Sequence, residues 1–261
     1  MSFGMIIIGD EILSGRRQDK HLAKVIELLG ARGHALSWAR YIGDERPRIT
    51  AALREAMASG DVVFSCGGIG ATPDDHTRQC AAAASGRALA LHPQAKLLIE
   101  QRMRETAAEQ GVTFEPDRPD NIHRLNMGVF PEGVTVIPNP YNKIPGFSLG
   151  DVHFVPGFPV MAHPMIEWVL DQRYSHLRPV AHAERALFVQ GGMEATLTPL
   201  MEAIEAEHPG VRVFSLPSVD HPTRGRHIEL GVKGEPSAVD MAFAALRSGL
   251  AAFPGLQVST E

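Results

Sequence analysis

Apolar and polar positions along this chain fall into blocks whose period changes. Residues 5–8 (Met5-Ile6-Ile7-Ile8) are apolar without interruption, the signature of a strand buried on both faces. Behind Asp19, a capping residue type, Leu22, Val25, Ile26 and Leu29 recur at helical spacing and stop at Gly30. Residues 36–42 then predict a strand, 47–59 a helix turning Ile49, Leu53 and Met57 inward, and 62–65 a third strand. Strand and helix have alternated three times, which predicts an α/β fold with a parallel sheet covered by helices on both faces, a three-layer α/β/α arrangement.

The pattern continues with an alanine-rich helix over 73–85 closed by Gly86 and a long helix over 93–109. Residues 114–120, with Pro116 and Pro119, predict a loop. A strand over 134–137 breaks into the proline-rich stretch 138–147, before a strand over 152–155 and a helix over 161–170. The segment near Arg178-Pro179 predicts a boundary, dividing 1–178 from 179–261. Beyond it, strands at 186–189, 211–214 and 227–232 with helices at 193–207 and 238–250 predict a small βαββα accessory domain of α+β type.

Composition narrows the function classes. The chain has 261 residues, 44% hydrophobic and 21% charged, with a formal net charge of −5, which is ordinary for a globular protein and gives no basic footprint for nucleic acid or membrane. Apolar runs are too short for a membrane span, and Asp10 and Glu11 follow the first apolar run too closely for a signal peptide. Two cysteines without CxxC spacing and twelve scattered histidines predict neither a disulfide framework nor a zinc site, so the expected location is cytoplasmic. Gly231-Val232-Lys233-Gly234 fits GxxG, but residues 181–261 hold six Lys and Arg against ten Asp and Glu, which argues against RNA binding.

Candidate chemistry gathers after the third strand. Gly67, Gly68 and Gly70 let a ligand approach backbone N–H groups, and Thr72 and Pro73 look like the N-cap and first position of a helix. Strand, glycine loop and helix start together predict a phosphate site. Asp74 and Asp75 would repel a phosphate unless a cation lay between them, which points to Mg²⁺ or another divalent ion such as Mn²⁺ or Co²⁺. Gly9, Asp10, Glu11, Ser14 and Gly15 follow the first strand and join this site if the first and third strands are parallel neighbours.

The string from Gly67 to Thr77, Gly-Gly-x-Gly-x-Thr-x-Asp-Asp-x-Thr, resembles the signature of the molybdopterin-binding fold of MoaB and MogA proteins, and most closely the amino-terminal domain of CinA-type proteins. Ile6 to Gly15 resembles the first motif of the same family. The resemblance implies a molybdopterin-binding-like sheet domain followed by a KH-like segment, without the carboxy-terminal deamidase domain of full-length CinA proteins. It implies a catalytic or metal-binding role for Asp44 in Gly43-Asp44, and a substrate loop containing Asn139, Pro145 and Gly146, where Lys143 would add a cation. His21 stands where the family has asparagine, residues 142–144 replace smaller ones, and Met161 replaces a glutamate.

Two functions follow as expectations. One is divalent-metal-dependent hydrolysis of a nucleotide pyrophosphate such as ADP-ribose, with Asp44, Asp74 and Asp75 catalytic and Asp44 and Asp75 on the metal. The other is binding of molybdopterin or a nucleotide, or adenylyl transfer, in molybdenum-cofactor biosynthesis. Both imply a small phosphate-bearing ligand, and the family resemblance implies a homo-oligomeric dimer or trimer.

Overall fold

Phe3, Met5 and Ile7 point to one side of the first strand and Ile6 and Ile8 to the other, and all are buried. That two-sided burial organises the computed structural model, which describes residues 2–177 and 183–260. The expected boundary at Arg178-Pro179 lies outside the described residues. By contacts the chain divides into two units, Met1–Arg178 and Pro179–Glu261.

The first unit runs β1 (Phe3–Ile8), α1 (Asp10–Leu13), α2 (His21–Gly30), β2 (Leu36–Ile42), α3 (Arg46–Ser59), β3 (Val62–Cys66) and α4 (Thr77–Ser85). An excursion follows: β4 (Leu89–Leu91), α5 (Pro93–Glu109), α6 (Pro119–Leu125) and β5 (Val129–Pro131). The unit closes with β6 (Thr135–Ile137), β7 (Gly146–Leu149), β8 (Val152–Val155) and α7 (Pro159–Arg173). The main sheet has the order β2-β1-β3-β8-β7-β6. Its β2, β1, β3 and β8 are parallel, whereas β7 runs antiparallel to both neighbours, so the expected parallel sheet is mixed at one edge.

One layer packs α2 and α7 on Phe3, Met5 and Ile7, and the other packs α3 and α4 on Ile6 and Ile8. The three-layer α/β/α architecture is therefore as the pattern predicted. Asp19 caps α2 through bonds from the His21 and Leu22 N–H groups (2.8 and 3.1 Å). The buried stripe of α2 is Val25, Leu28 and Leu29, while Ile26 faces outward, 52% exposed. Three further corrections are local. The helix expected over 73–85 starts at Thr77, α6 begins within the expected loop, and β7 emerges from the proline-rich stretch.

The second unit contains β9 (Ala183–Gln190), α8 (Glu194–Glu207), β10 (Arg212–His221), β11 (Gly225–Gly234), α9 (Pro236–Leu250) and β12 (Gln257–Ser259). The strands form an antiparallel sheet, β10-β11-β9-β12, whose Leu187, Val189, Leu230 and Val232 pack with Leu197, Val239 and Leu246 of the helices. This α+β unit gains one strand, β12, over the sequence pattern. Its GxxG lies inside β11, where a Cβ on Gly231 would meet the Phe214 ring at 2.3 Å, so these glycines serve packing.

A buried polar chain crosses the first unit at the amino-terminal end of β8. Tyr174 donates to Asp151 (2.7 Å), His153 Nε2 donates to the Tyr174 oxygen (2.7 Å), and Ser148 donates to His153 Nδ1 (2.8 Å). A carboxylate only accepts, which sets the direction of every proton in the chain. Burial depresses the His153 pKa to about 3. Between its ordinary value and about 3 the unfolded chain takes up a proton that the native chain refuses, so stability falls as pH drops through that window, by up to about 5 kcal/mol. His153→Gln is expected to flatten the dependence of Tm on pH across that window in thermal melts. It should also lower stability at neutral pH by roughly 1–3 kcal/mol, because Ser148 and Tyr174 lose a buried partner.

Candidate functional site

Strand order places the site. From β1 the chain moves to β2 on one side and then to β3 on the other, so the loops after β1 and β3 leave in opposite directions at the carboxyl ends of adjacent parallel strands. Such a crevice is where open α/β sheets bind ligands. Here it is a cavity of about 400 Å³, within the range of small-molecule sites.

The glycine loop forms one wall. A Cβ on Gly67 would lie 2.2 Å from the Ile8 carbonyl oxygen, and its φ of +106° also demands glycine. Gly68, at φ +68°, leaves room for the Thr77 hydroxyl, which donates to the Gly67 carbonyl (3.0 Å), while the Thr77 N–H donates to the Gly68 carbonyl (2.9 Å). Among the described residues, the N–H groups of Gly68, Ile69, Gly70 and Ala71 make no hydrogen bond. Four free donors in a glycine-rich turn ahead of a helix are the kind of donor set that can hold an anion.

Thr72 is not the helix cap that its position predicts. Asp75 Oδ2 accepts from the Thr72 N–H (2.8 Å) and hydroxyl (2.5 Å), closing a turn over 72–75 and delaying the helix to Thr77. A Cβ on Gly70 would sit 2.6 Å from that same Oδ2. Asp75 is thus a latch for the loop. Asp74 is exposed, and hydrogen bonds of this turn, the Thr72 hydroxyl shared with Asp75 and its own backbone N–H, hold its pKa below the usual carboxylate range.

The opposite wall is acidic. The Asp10 N–H donates to Asp44 Oδ2 (2.9 Å) and the Asp44 N–H to Asp10 Oδ1 (3.2 Å), tying the turn after β1 to the turn after β2. Burial pushes the Asp44 carboxyl above its usual range. The bond from Asp10 opposes this, and the charges of Asp10, Glu11 and Asp74 reinforce it. Glu11, Asp44 and Asp74 thus crowd negative charge beside the free N–H groups of the glycine loop.

Of the residues singled out from sequence, Gly9, Glu11, Asp44, Gly67, Gly68, Gly70, Thr72, Asp74, Asp75, Asn139 and Pro145 line this one cavity. Five do not. Asp10 spends its carboxylate on the Asp44 backbone; Ser14 and Gly15 end the short α1. Gly146 sits inside β7 against the Phe154 carbonyl, and Lys143, with φ +63°, pairs with Glu105 of α5. Sequence reasoning missed Arg17, Met127 and Phe158, and it read Asn142 and Met161 only as departures from the family; all five line the cavity. Asn142 accepts from Asn139 Nδ2 (2.8 Å) and reaches the Met161 sulfur at 3.6 Å, so loop 138–145 is held by its own amides. His21 Nε2 meets the Gly157 carbonyl (3.1 Å) behind the wall.

Residues 4–176 match the family described as "Probable molybdopterin binding domain". The chain belongs to this family. A protein of Pyrobaculum calidifontis is 30% identical over 93% of this chain and 92% of its own length. A CinA-like protein of Syntrophotalea carbinolica is 31% identical over 78% of this chain, which matches half of that relative's length. The crystal structure of CinA from Thermoplasma acidophilum, described as having unknown function, superposes with a TM-score of 0.55 at 26% identity, over 66% of this chain and 98% of that one. The molybdopterin-binding domain match thus covers nearly all of the first unit, glycine cradle and carboxylates included.

The contrast between two glycines tests the cradle. Gly67→Ala is expected to cost more than about 3 kcal/mol or to prevent folding, because both its φ and the Ile8 carbonyl forbid a Cβ. Gly157→Ala, whose Cβ would find its nearest neighbour, the Gly67 Cα, at an ordinary 3.5 Å, should cost less than about 1 kcal/mol. Chemical denaturation of the two variants gives the comparison.

Proposed function

We propose that the first unit binds a phosphate-bearing nucleotide or pterin in this cavity and, with a divalent cation, hydrolyses a nucleotide pyrophosphate such as ADP-ribose. The observation that carries the reading is the pairing of a free N–H cradle at Gly68–Ala71 with Glu11, Asp44 and Asp74 across one cavity. A cradle alone would suit any anion. Carboxylates beside it disfavour a bare phosphate, and a cation would offset both their charge and the burial that raises the Asp44 pKa.

The donors are all oxygens, which suits Mg²⁺, Mn²⁺ or Co²⁺. Among the described residues no three His, Cys, Asp or Glu side chains converge as a closed metal site, so a cation would be shared between protein carboxylates and ligand phosphate. Asp74, which stays ionised, and Glu11 suit that task. When bound, the ion would neutralise phosphate charge and polarise the reacting P–O bond. Asp44, with its raised pKa, suits acceptance of the proton from an attacking water as the P–O–P bond breaks and AMP departs. Asp75 keeps the loop closed.

A second reading is binding of molybdopterin or a nucleotide, with or without adenylyl transfer. It is favoured by Met161, whose thioether occupies the cavity wall where the family resemblance calls for a carboxylate. Chromatography of products from ADP-ribose and FAD, with each metal against a chelator, separates the two. Metal-dependent AMP release that falls at least about 100-fold in Asp44→Asn, with unchanged melting, is the expected result. The rate should rise with pH through a pKa above the ordinary aspartate value, because Asp44 must be deprotonated to act. No turnover of either compound by folded, metal-loaded protein would leave the binding reading.

A further inference from the structure

Behind the 71–75 turn lies a second cavity, of about 260 Å³, that shares Ala71, Thr72 and Asp75 with the first but is lined also by Arg46, His76, Arg78 and Asn126. It is cationic where the first is acidic. Arg78 is only 4% exposed; its Nη1 donates to the Ile69 carbonyl, in the glycine loop. Among the described residues its Nε and Nη2 have no acceptor, and neither Arg78 nor Arg46 forms an ion pair. The carboxylate in the lining, Asp75, commits Oδ2 to Thr72.

Among the described residues, the only carboxylate acting on Arg78 from this lining, Asp75, makes no ion pair with it, so the largely buried guanidinium has donors left for an anion in the cavity. Burial lowers the Arg78 pKa, with the Asp75 charge opposing. Arg46 is exposed and so stands at the rim, free to close over a ligand. Two planar forks, an imidazole and an amide form a set of donors suited to a tetrahedral oxyanion.

We propose that this cavity is a second oxyanion site, taking a phosphoryl group between Arg78 and Arg46. The site stands without the hydrolytic reading of the first cavity. Because Arg78 holds the Ile69 carbonyl and Asp75 latches Thr72, an anion here would act on the same loop that cradles the first ligand, and any effect of one on the other is reciprocal.

The test is titration of the full chain with inorganic phosphate at constant ionic strength, with chloride as the balancing ion, read by calorimetry and by Tm. Saturable binding by the wild type is expected, weakened at least about tenfold in Arg46→Gln and in Arg78→Lys, which keeps the buried charge but loses the fork. Arg46 is exposed, so its variant keeps the test valid if Arg78→Lys fails to fold. No saturable binding by the wild type overturns the proposal. Unchanged affinity in folded variants also overturns it and assigns phosphate to the glycine cradle. With ADP-ribose as a second probe, equal weakening by Arg46→Gln identifies the anion as a distal phosphoryl of a larger ligand. ADP-ribose affinity unaffected by Arg46→Gln, with phosphate weakened, identifies a free anion.

Discussion

The first unit depends on one close approach: the Cα of Gly67 against the carbonyl of Ile8, where the ends of two adjacent parallel strands meet. Any Cβ at that point would push β3 away from β1 or force the loop outward. With none, the chain leaves β3 directly over the end of β1, and the loop N–H groups gather next to the turns that carry Glu11 and Asp44. The cavity is therefore a consequence of strand order and one missing methyl group. The bulk of the core sits elsewhere, on both faces of β1, and fixes those strand ends.

The carboxylates show how neighbours in sequence come to differ. Asp74 and Asp75 are adjacent, yet one is exposed and stays ionised while the other accepts two bonds from Thr72 and closes a turn. Asp10 and Asp44 divide similarly: each accepts from the backbone of the other, but Asp44 lines the cavity and Asp10 does not. Burial, with a smaller contribution from the charges of Asp10, Glu11 and Asp74, raises the Asp44 pKa, so this carboxyl is the one in the cavity wall whose ionised form is least favoured.

What was legible in the sequence were the features set by local pattern: the continuous apolar run of β1, the capped α2, and the glycines after β3. The α/β/α layering and the site's main loop follow from these. What was not legible depends on partners distant along the chain. Thr72-Pro73 reads as a helix start because nothing local reveals that Asp75 folds back onto Thr72. The edge strand β7 hides behind prolines because its pairing with β8 is antiparallel, against the rhythm of the preceding strands. Lys143 looks like a phosphate ligand until its left-handed backbone and Glu105 are seen, and Arg17 carries no motif at all.

Connectivity alone is a poor guide to chemistry in this chain. The Ser148, His153, Tyr174 and Asp151 chain has the members and direction of a proton relay, and its hydrogen bonds are as short as those of the site. Yet it lies toward the start of β8, whereas the cavity opens beyond the strand's other end at Pro156 and Gly157. His153 is fully buried and kept neutral by that burial, with no substrate-sized space beside it among the cavities that reach the glycine loop. The acidic wall has weaker bonds and more exposed groups, but it faces free N–H donors across open space. The candidate site is marked by unpaired groups around open space, and the structural network by groups that satisfy one another.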